Sequence, residues 1–435
     1  MQFRSTRTNE SPVSFKDAVL QCLPPGGGLY VPALAADMRQ FFLYMDTTTS
    51  YPELVAAVAP ALLQGELNPF SASRVAESAF DFEPELQQLE NDLSVLNLYN
   101  GPTGVFKDFG IAFLAAVMEE LIKNNGFAMI LSAAKGDTGV SIAQAFYKRQ
   151  GIISVILYPS GHIRGLDPAS FIQNGGNIIP IQIRGTFDDC QRLVAEAIND
   201  RPFALRYGIT SANAINVGRL LPQAFYYLYA FIKVKQYLKE DLLFSVPCGN
   251  FGNFVAGLYA WKFGLPLSGF IAAMNANNAF GDYIRGREYR PHPLIITNSP
   301  ALDVSQPSNY QRLESFYDEA PAVMRNMVYP EAVDDRATLA AMGRAWKRHN
   351  LILDPHSAVA YAAAERYIKA RGDFYGHVVV LATAHPAKQA ELISEVIGRE
   401  IEIPEKLRKL QQKTDPVALI DPQLDALQGA IVSCV

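Results

Sequence analysis

The run Leu242-Leu243-Phe244-Ser245-Val246-Pro247-Cys248-Gly249-Asn250-Phe251-Gly252-Asn253 decides the architecture of this chain. Leu242 to Val246 is a short continuous apolar block, the pattern of a strand buried on both faces. An apolar helix over Phe254 to Phe263 follows after only a few residues. Glycines in the join let successive backbone N–H groups converge on an anion, and the helix N-terminus adds positive dipole. A phosphate suits such a loop; a tight strand-to-helix turn without a ligand accounts for the same residues. The spacing is neither GxGxxG nor GxxxxGK[ST], so the common nucleotide fingerprints do not match.

The same alternation extends on both sides. Phe127 to Leu131, Ile152 to Leu157, Ile178 to Ile183, Phe270 to Ala273 and Val378 to Leu381 read as further buried strands. Helices are expected over Asp108 to Lys123 (with Asp108 as its N-cap), Thr138 to Lys148, from Phe187 onwards, and near Leu220 to Leu238. Short apolar runs alternating with amphipathic helices imply an α/β fold with mostly parallel, doubly wound sheets. In such sheets ligands gather at loops leaving the carboxyl ends of strands. Residues 1–92 lack this alternation and read as a small, mainly helical N-terminal domain. Residues 93–405 form the α/β region, with one subdomain at roughly 127–215; 406–435 reads as a tail and 275–345 as an insertion.

Three other loops carry chemistry-bearing residues. In Asn100-Gly101-Pro102-Thr103-Gly104-Val105-Phe106-Lys107-Asp108-Phe109, a lysine stands at a helix start, where the dipole disfavours a cation. A desolvated, less basic amine is what condensation with an aldehyde needs; a solvated lysine beside a cap is the plainer reading. Leu131-Ser132-Ala133-Ala134-Lys135-Gly136-Asp137-Thr138-Gly139 could offer backbone N–H groups to a carboxylate, or simply cap a helix. Leu381-Ala382-Thr383-Ala384-His385-Pro386-Ala387-Lys388 ends a strand with a hydroxyl that could face a ring nitrogen, while His385 reads as structural.

Composition narrows the function classes. A net charge of −5 without a basic stripe argues against nucleic acid and anionic membrane surfaces. No stretch approaches the roughly 20 apolar residues of a membrane span. The first thirty residues lack a basic end followed by an apolar block, and the four cysteines are scattered without a CxxC pair. A reducing, cytoplasmic setting is therefore expected. The remaining histidines show neither HxxxH nor HExxH spacing, so no metal site is expected, and no GxSxG elbow occurs.

Taken together and in this order, the four loops closely resemble the threonine synthase family. Gly101 to Asp108, Lys135 to Gly139, Val246 to Gly252 and Thr383 to Lys388 match its motifs. Supporting matches lie at Gly27 to Pro32, Gly185 to Cys190, Ser211 to Asn216, Ser299 to Asp303 and Asp354 to Ala358. The resemblance implies a fold-type-II pyridoxal-phosphate enzyme, like the tryptophan synthase beta chain, with a helical N-terminal domain. It implies that Lys107 holds the cofactor aldehyde, that Gly249, Asn250, Phe251, Gly252 and Asn253 cradle its phosphate, and that Thr383 meets the pyridine nitrogen. Lys135, Gly136, Asp137, Thr138, Arg164 and Asn213 become the substrate contacts, and the implied reaction turns O-phospho-L-homoserine and water into L-threonine and phosphate.

Three departures bear on the substrate. Lys135 stands where the family has Ser, Ser160 to Gly165 replaces a more basic segment, and Asn100 replaces a His. Arg164 and Lys135 are candidate replacement cations for a phosphorylated substrate, although a solvated loop lysine also explains Lys135. These departures leave two other readings open: a related lyase that releases a 2-oxo acid, and a non-catalytic anion- or amino-acid-binding protein. Oligomeric state is not legible.

Overall fold

The computed structural model describes residues 1–34, 37–63, 65–124, 126–134, 136–160, 176–290, 293–372, 374–410 and 417–434. Near the N-terminus, β1 (Phe3–Ser5) and β2 (Tyr30–Pro32) form an antiparallel ribbon beside four helices, Phe15–Gln21, Arg39–Tyr44, Tyr51–Leu62 and Pro69–Ala79. The third helix starts at a reciprocal cap: Ser50 accepts from the Glu53 N–H while the Glu53 carboxylate accepts from the Ser50 N–H. Tyr51 leads its buried face into an edge-to-face aromatic cluster with Phe80, Phe109 and Tyr229. Phe109 belongs to the Lys107–Ile122 helix, so the N-terminal unit buttresses the element that carries the candidate lysine.

The larger sheet contains β3 (Glu85–Gln88), β4 (Leu93–Asn97), β9 (Leu242–Pro247), β10 (Gly269–Met274), β11 (Val328–Ala332) and β12 (His377–Ala382), in the order β11-β10-β9-β12-β4-β3. All pairs are parallel except β3 with β4. The smaller sheet is fully parallel, in the order β13-β7-β6-β5-β8. Its strands are β5 (Ala128–Ala133), β6 (Ile152–Pro159), β7 (Ile178–Ile183), β8 (Ile209–Thr210) and β13 (Ala418–Ile420). This is the expected α/β fold of two mostly parallel sheets.

The structure redraws several local expectations. β3 pairs with β4, so the large sheet reaches back before residue 92; the polar β3 had hidden because an edge strand needs no apolar run. The stretch 275–345 contributes β11 to the sheet rather than standing apart from it. Residues 406–435 return to the smaller sheet: β13 forms its edge, and Leu427 and Ile431 of the Leu424–Cys434 helix enter that sheet's core. The long helix expected near 220–238 is broken at Pro222, with a 3-10 turn at Leu221–Gln223 between Val217–Leu220 and Ala224–Val234.

Both sheets have a switch point where the winding direction reverses. In the large sheet β12 returns between β9 and β4; in the small one β5 and β8 flank the reversal. The loops that carry the four motifs leave these strands at their carboxyl ends, where open α/β sheets bind ligands.

Candidate active site

The loop after β4 and the loop after β12 are bonded together. Phe106 donates its N–H to the Thr383 carbonyl at 2.9 Å, and His385 donates to the Gly104 carbonyl at 2.8 Å. This antiparallel bridge, Val105 with Ala384, fixes Lys107 beside Thr383. Asp108 is not the helix cap it was expected to be. The helix begins at Lys107, and the Asp108 carboxylate turns back to accept from the Thr103 N–H at 2.8 Å and the Thr103 hydroxyl at 2.5 Å. Burial raises the Asp108 pKa against these hydrogen bonds. A Cβ on Gly101 would lie 2.6 Å from that carboxylate, which is why the loop needs glycine there.

The Lys107 side chain is only 17% exposed, and its Nζ lies 3.9 Å from Asp137 Oδ2. Burial pushes its pKa down, Asp137 works to raise it, and Arg219 and Lys388 push it down again. Asp137 opens the Asp137–Phe146 helix and also binds Lys388 Nζ at 2.6 Å. Burial acts to raise its pKa, but Lys388 and then Lys107 dominate and hold it at about 2. Asp137 is thus an ionised anchor between two amines. Gly136, at φ +56°, turns the chain into this helix, and Thr138 lies partly exposed on its first turn. Lys135 and Arg164 lie outside the described residues.

Asn213, after β8, has its side chain engaged by the chain itself. Its Oδ1 accepts from the Ala133 N–H at 2.9 Å and its Nδ2 donates to the Ala133 carbonyl at 2.7 Å. It therefore clamps the switch point of the small sheet, beside the loop that leads to Asp137.

After β9 the glycine loop enters the Gly252–Lys262 helix through Phe251, which adopts a left-handed conformation (φ +59°, ψ +5°). That conformation costs a bulky residue about 1 kcal/mol or more; the ring is held against Phe280 at 4.3 Å between centroids. A left-handed residue leading into a right-handed helix turns successive N–H groups to one side, the concavity that binds anions. Asn250 Oδ1 accepts from the Ser308 N–H at 3.1 Å, and Asn253 Nδ2 donates to the Pro247 carbonyl at 3.0 Å. Both side chains brace the loop and leave its N–H groups as the anion-facing donors.

Two residues now join the site that had no assigned role in the sequence. Lys388 was quoted within its loop, but only the fold brings it to Asp137. Arg219 is 6% exposed; it donates to the Ala212 carbonyl at 2.7 Å while its Nε lacks a partner among the described residues. Burial lowers its pKa to about 10, which leaves it a cation at neutral pH. A lone arginine inside the apolar run Val217-Gly218-Arg219-Leu220-Leu221 was the available signal.

These residues fit pyridoxal phosphate. A Cβ on Gly252 would meet nothing nearer than Asn309 Nδ2 at 3.6 Å, so packing within the chain does not require glycine there; a phosphate set against the helix N-terminus does. Thr383 is buried, and its hydroxyl makes no hydrogen bond among the described residues, as suits a partner for a ring nitrogen. Neighbouring strands lie about 4.8 Å apart. The loops after β9 and β4 therefore flank Thr383 at roughly 10 Å from each other, a span a lysine-linked pyridine with a phosphate arm bridges.

Comparison with known proteins agrees. The pyridoxal-phosphate dependent enzyme family matches residues 83–384, the threonine synthase N terminus matches 2–80 and the threonine synthase C-terminal family matches 357–431. Threonine synthase of Escherichia coli (strain K12) is 35% identical over 415 residues, 94% of each chain, and that of Haemophilus influenzae 34% over 416 residues, 95% of each. The crystal structure of threonine synthase from Escherichia coli superposes with a TM-score of 0.88 at 32% identity, covering 100% of both chains. Pyridoxal-phosphate-bound threonine synthase from Brucella melitensis gives 0.87 at 29% identity, covering 99% of this chain and 98% of that one. This chain belongs to the threonine synthase family of pyridoxal-phosphate-dependent enzymes.

Proposed function

We propose that the chain converts O-phospho-L-homoserine and water into L-threonine and phosphate at the carboxyl edge of β9, β12 and β4. Lys107, the N–H groups of Gly249 to Asn253 and the Thr383 hydroxyl hold the cofactor. When bound, pyridoxal phosphate supplies an electron-accepting ring conjugated to the substrate amine, which makes the Cα proton removable. Lys107 Nζ, whose pKa burial lowers, takes that proton and later exchanges one at Cβ. Asp137, ionised and 3.9 Å away, holds the ammonium that results, and Lys388 keeps Asp137 in place. A hydroxyl at the ring nitrogen, in place of a carboxylate, leaves that nitrogen mostly unprotonated. Arg219 is the buried cation for the leaving phosphate, with its Nε, which lacks a partner among the described residues, as the donor. The three described internal cysteines, Cys22, Cys190 and Cys248, are free and buried, in keeping with a reducing cytosol.

One observation carries the reading: a buried lysine of lowered basicity, a threonine hydroxyl without a hydrogen bond among the described residues and an N–H-lined glycine loop leave adjacent parallel strands at one edge. The substrate is tested by product analysis. Purified enzyme given O-phosphohomoserine should release threonine and phosphate in equal amounts, and 2-oxobutyrate without threonine would overturn the assignment. The Lys107→Ala variant should lose both turnover and the yellow absorbance.

A further inference from the structure

The Pro355–Ala370 helix begins beneath the large sheet with Asp354-Pro355-His356-Ser357. Asp354 is 2% exposed and accepts three hydrogen bonds: the His356 N–H at 2.9 Å, His356 Nδ1 at 2.5 Å and the Ser357 hydroxyl. Capping the helix takes only the first of these. The other two engage side chains that each hold a backbone N–H from a different loop. His356 Nε2 accepts from the Ala301 N–H at 3.0 Å, which places the ring proton on Nδ1. Ser357 Oγ, its own proton engaged by Asp354, accepts from the Thr383 N–H at 2.9 Å.

The two arms end at the two ends of the site. The Ala301 carbonyl lies over the glycine loop so closely that a Cβ on Gly249 would stand 2.6 Å from it. On the other side, Thr383 carries the hydroxyl assigned to the ring nitrogen, and its carbonyl accepts from the N–H of Phe106, next to Lys107.

We propose that Asp354, His356 and Ser357 are positioning residues that set the phosphate loop and Thr383 at a fixed separation, one arm for each end of the cofactor. The proposal rests on the cofactor placement given above. Each arm is a chain of directed hydrogen bonds, so breaking one releases one end and leaves the other held.

The test uses the holoenzyme with two end-specific signals: the phosphorus-31 resonance of bound cofactor phosphate, and the visible absorption band with its pH dependence, which reports the ring. Ser357→Ala should shift the band and weaken cofactor binding about 10-fold, with the phosphorus resonance unmoved. His356→Ala should move the phosphorus resonance with a similar loss of affinity and leave the band in place. Where the alanine variant does not fold, Ser357→Cys, a near-isosteric change to a weaker acceptor, carries the same expectation. Adding Ser357→Ala to Thr383→Ala should cause no further change in the band. Equal disturbance of both signals by either variant, disturbance of neither, or additive effects in the double variant would overturn the relay. A band unchanged in Thr383→Ala alone would instead overturn the cofactor placement.

Discussion

Replacing Gly252 by alanine separates what the chain needs from what the cofactor needs. Gly252 is the first residue of its helix and has no positive φ, so alanine fits the backbone without strain. The nearest atoms to a new Cβ, Asn309 Nδ2 at 3.6 Å and Ala214 Cβ at 3.8 Å, are at ordinary contact distance. The protein alone should therefore tolerate the change, with a gain of about 0.5 kcal/mol from reduced backbone entropy. That gain would raise the apoenzyme melting temperature by about 0.5 °C. The holoenzyme should respond in the opposite sense. A methyl group pushed between the helix N-terminus and the phosphate costs about 1–3 kcal/mol of overpacking, a loss of roughly 5- to 150-fold in cofactor affinity. Calorimetry of the apoenzyme and titration of pyridoxal phosphate by absorbance measure the two halves. A variant that keeps the parent's dissociation constant would refute the phosphate site at this helix, whatever its melting temperature.

Gly249→Ala should differ by harming apoenzyme and holoenzyme alike. Its Cβ would meet backbone, the Ala301 carbonyl at 2.6 Å, and must force a retreat of at least 0.4 Å to reach the 3.0 Å floor of real contacts; a melting temperature unchanged in both forms would contradict this. Asp137 has its folded pKa depressed from 3.8 to about 2, so its contribution is fully present above pH 4 and lost as pH falls through 2. That gap amounts to about 2 kcal/mol, and in the apoenzyme, where Lys107 is free, the stability difference between the parent and Asp137→Asn should shrink by about that much over this window; a difference constant with pH would refute it. Arg219→Gln should raise KM for the phosphorylated substrate about 10-fold or more by removing a charged donor, with Arg219→Lys recovering part of the loss. Equal KM values in steady-state kinetics would release Arg219 from the substrate.

Much of this site was legible because the decisive features are local. A glycine loop between an apolar block and a helix, or a lysine at a helix start, is written in consecutive residues and constrained by backbone geometry. What escaped was side-chain pairing that depends on how the chain folds back, within one loop or between distant segments. Asp108 read as a cap because nothing local reveals that Thr103 folds back onto it. Lys388 is 251 residues from Asp137, yet they share a hydrogen bond. Asn213 read as a substrate contact, while the fold engages both ends of its amide with Ala133. Polar or short edge strands such as β3 and β13 escaped because they gain their partners from the sheet rather than from their own hydrophobicity.

By itself the sequence determined the class of fold, through its periodicity, and the kind of cofactor, through the family resemblance that its motifs carry together; that resemblance also made Lys107 the lysine proposed to hold it. Only the tertiary structure decided the charges around that lysine and the bracing of the loops that face it. Electrostatic energy and hydrogen bonding depend on distance and burial, and both are set by how strands far apart in sequence come to lie side by side.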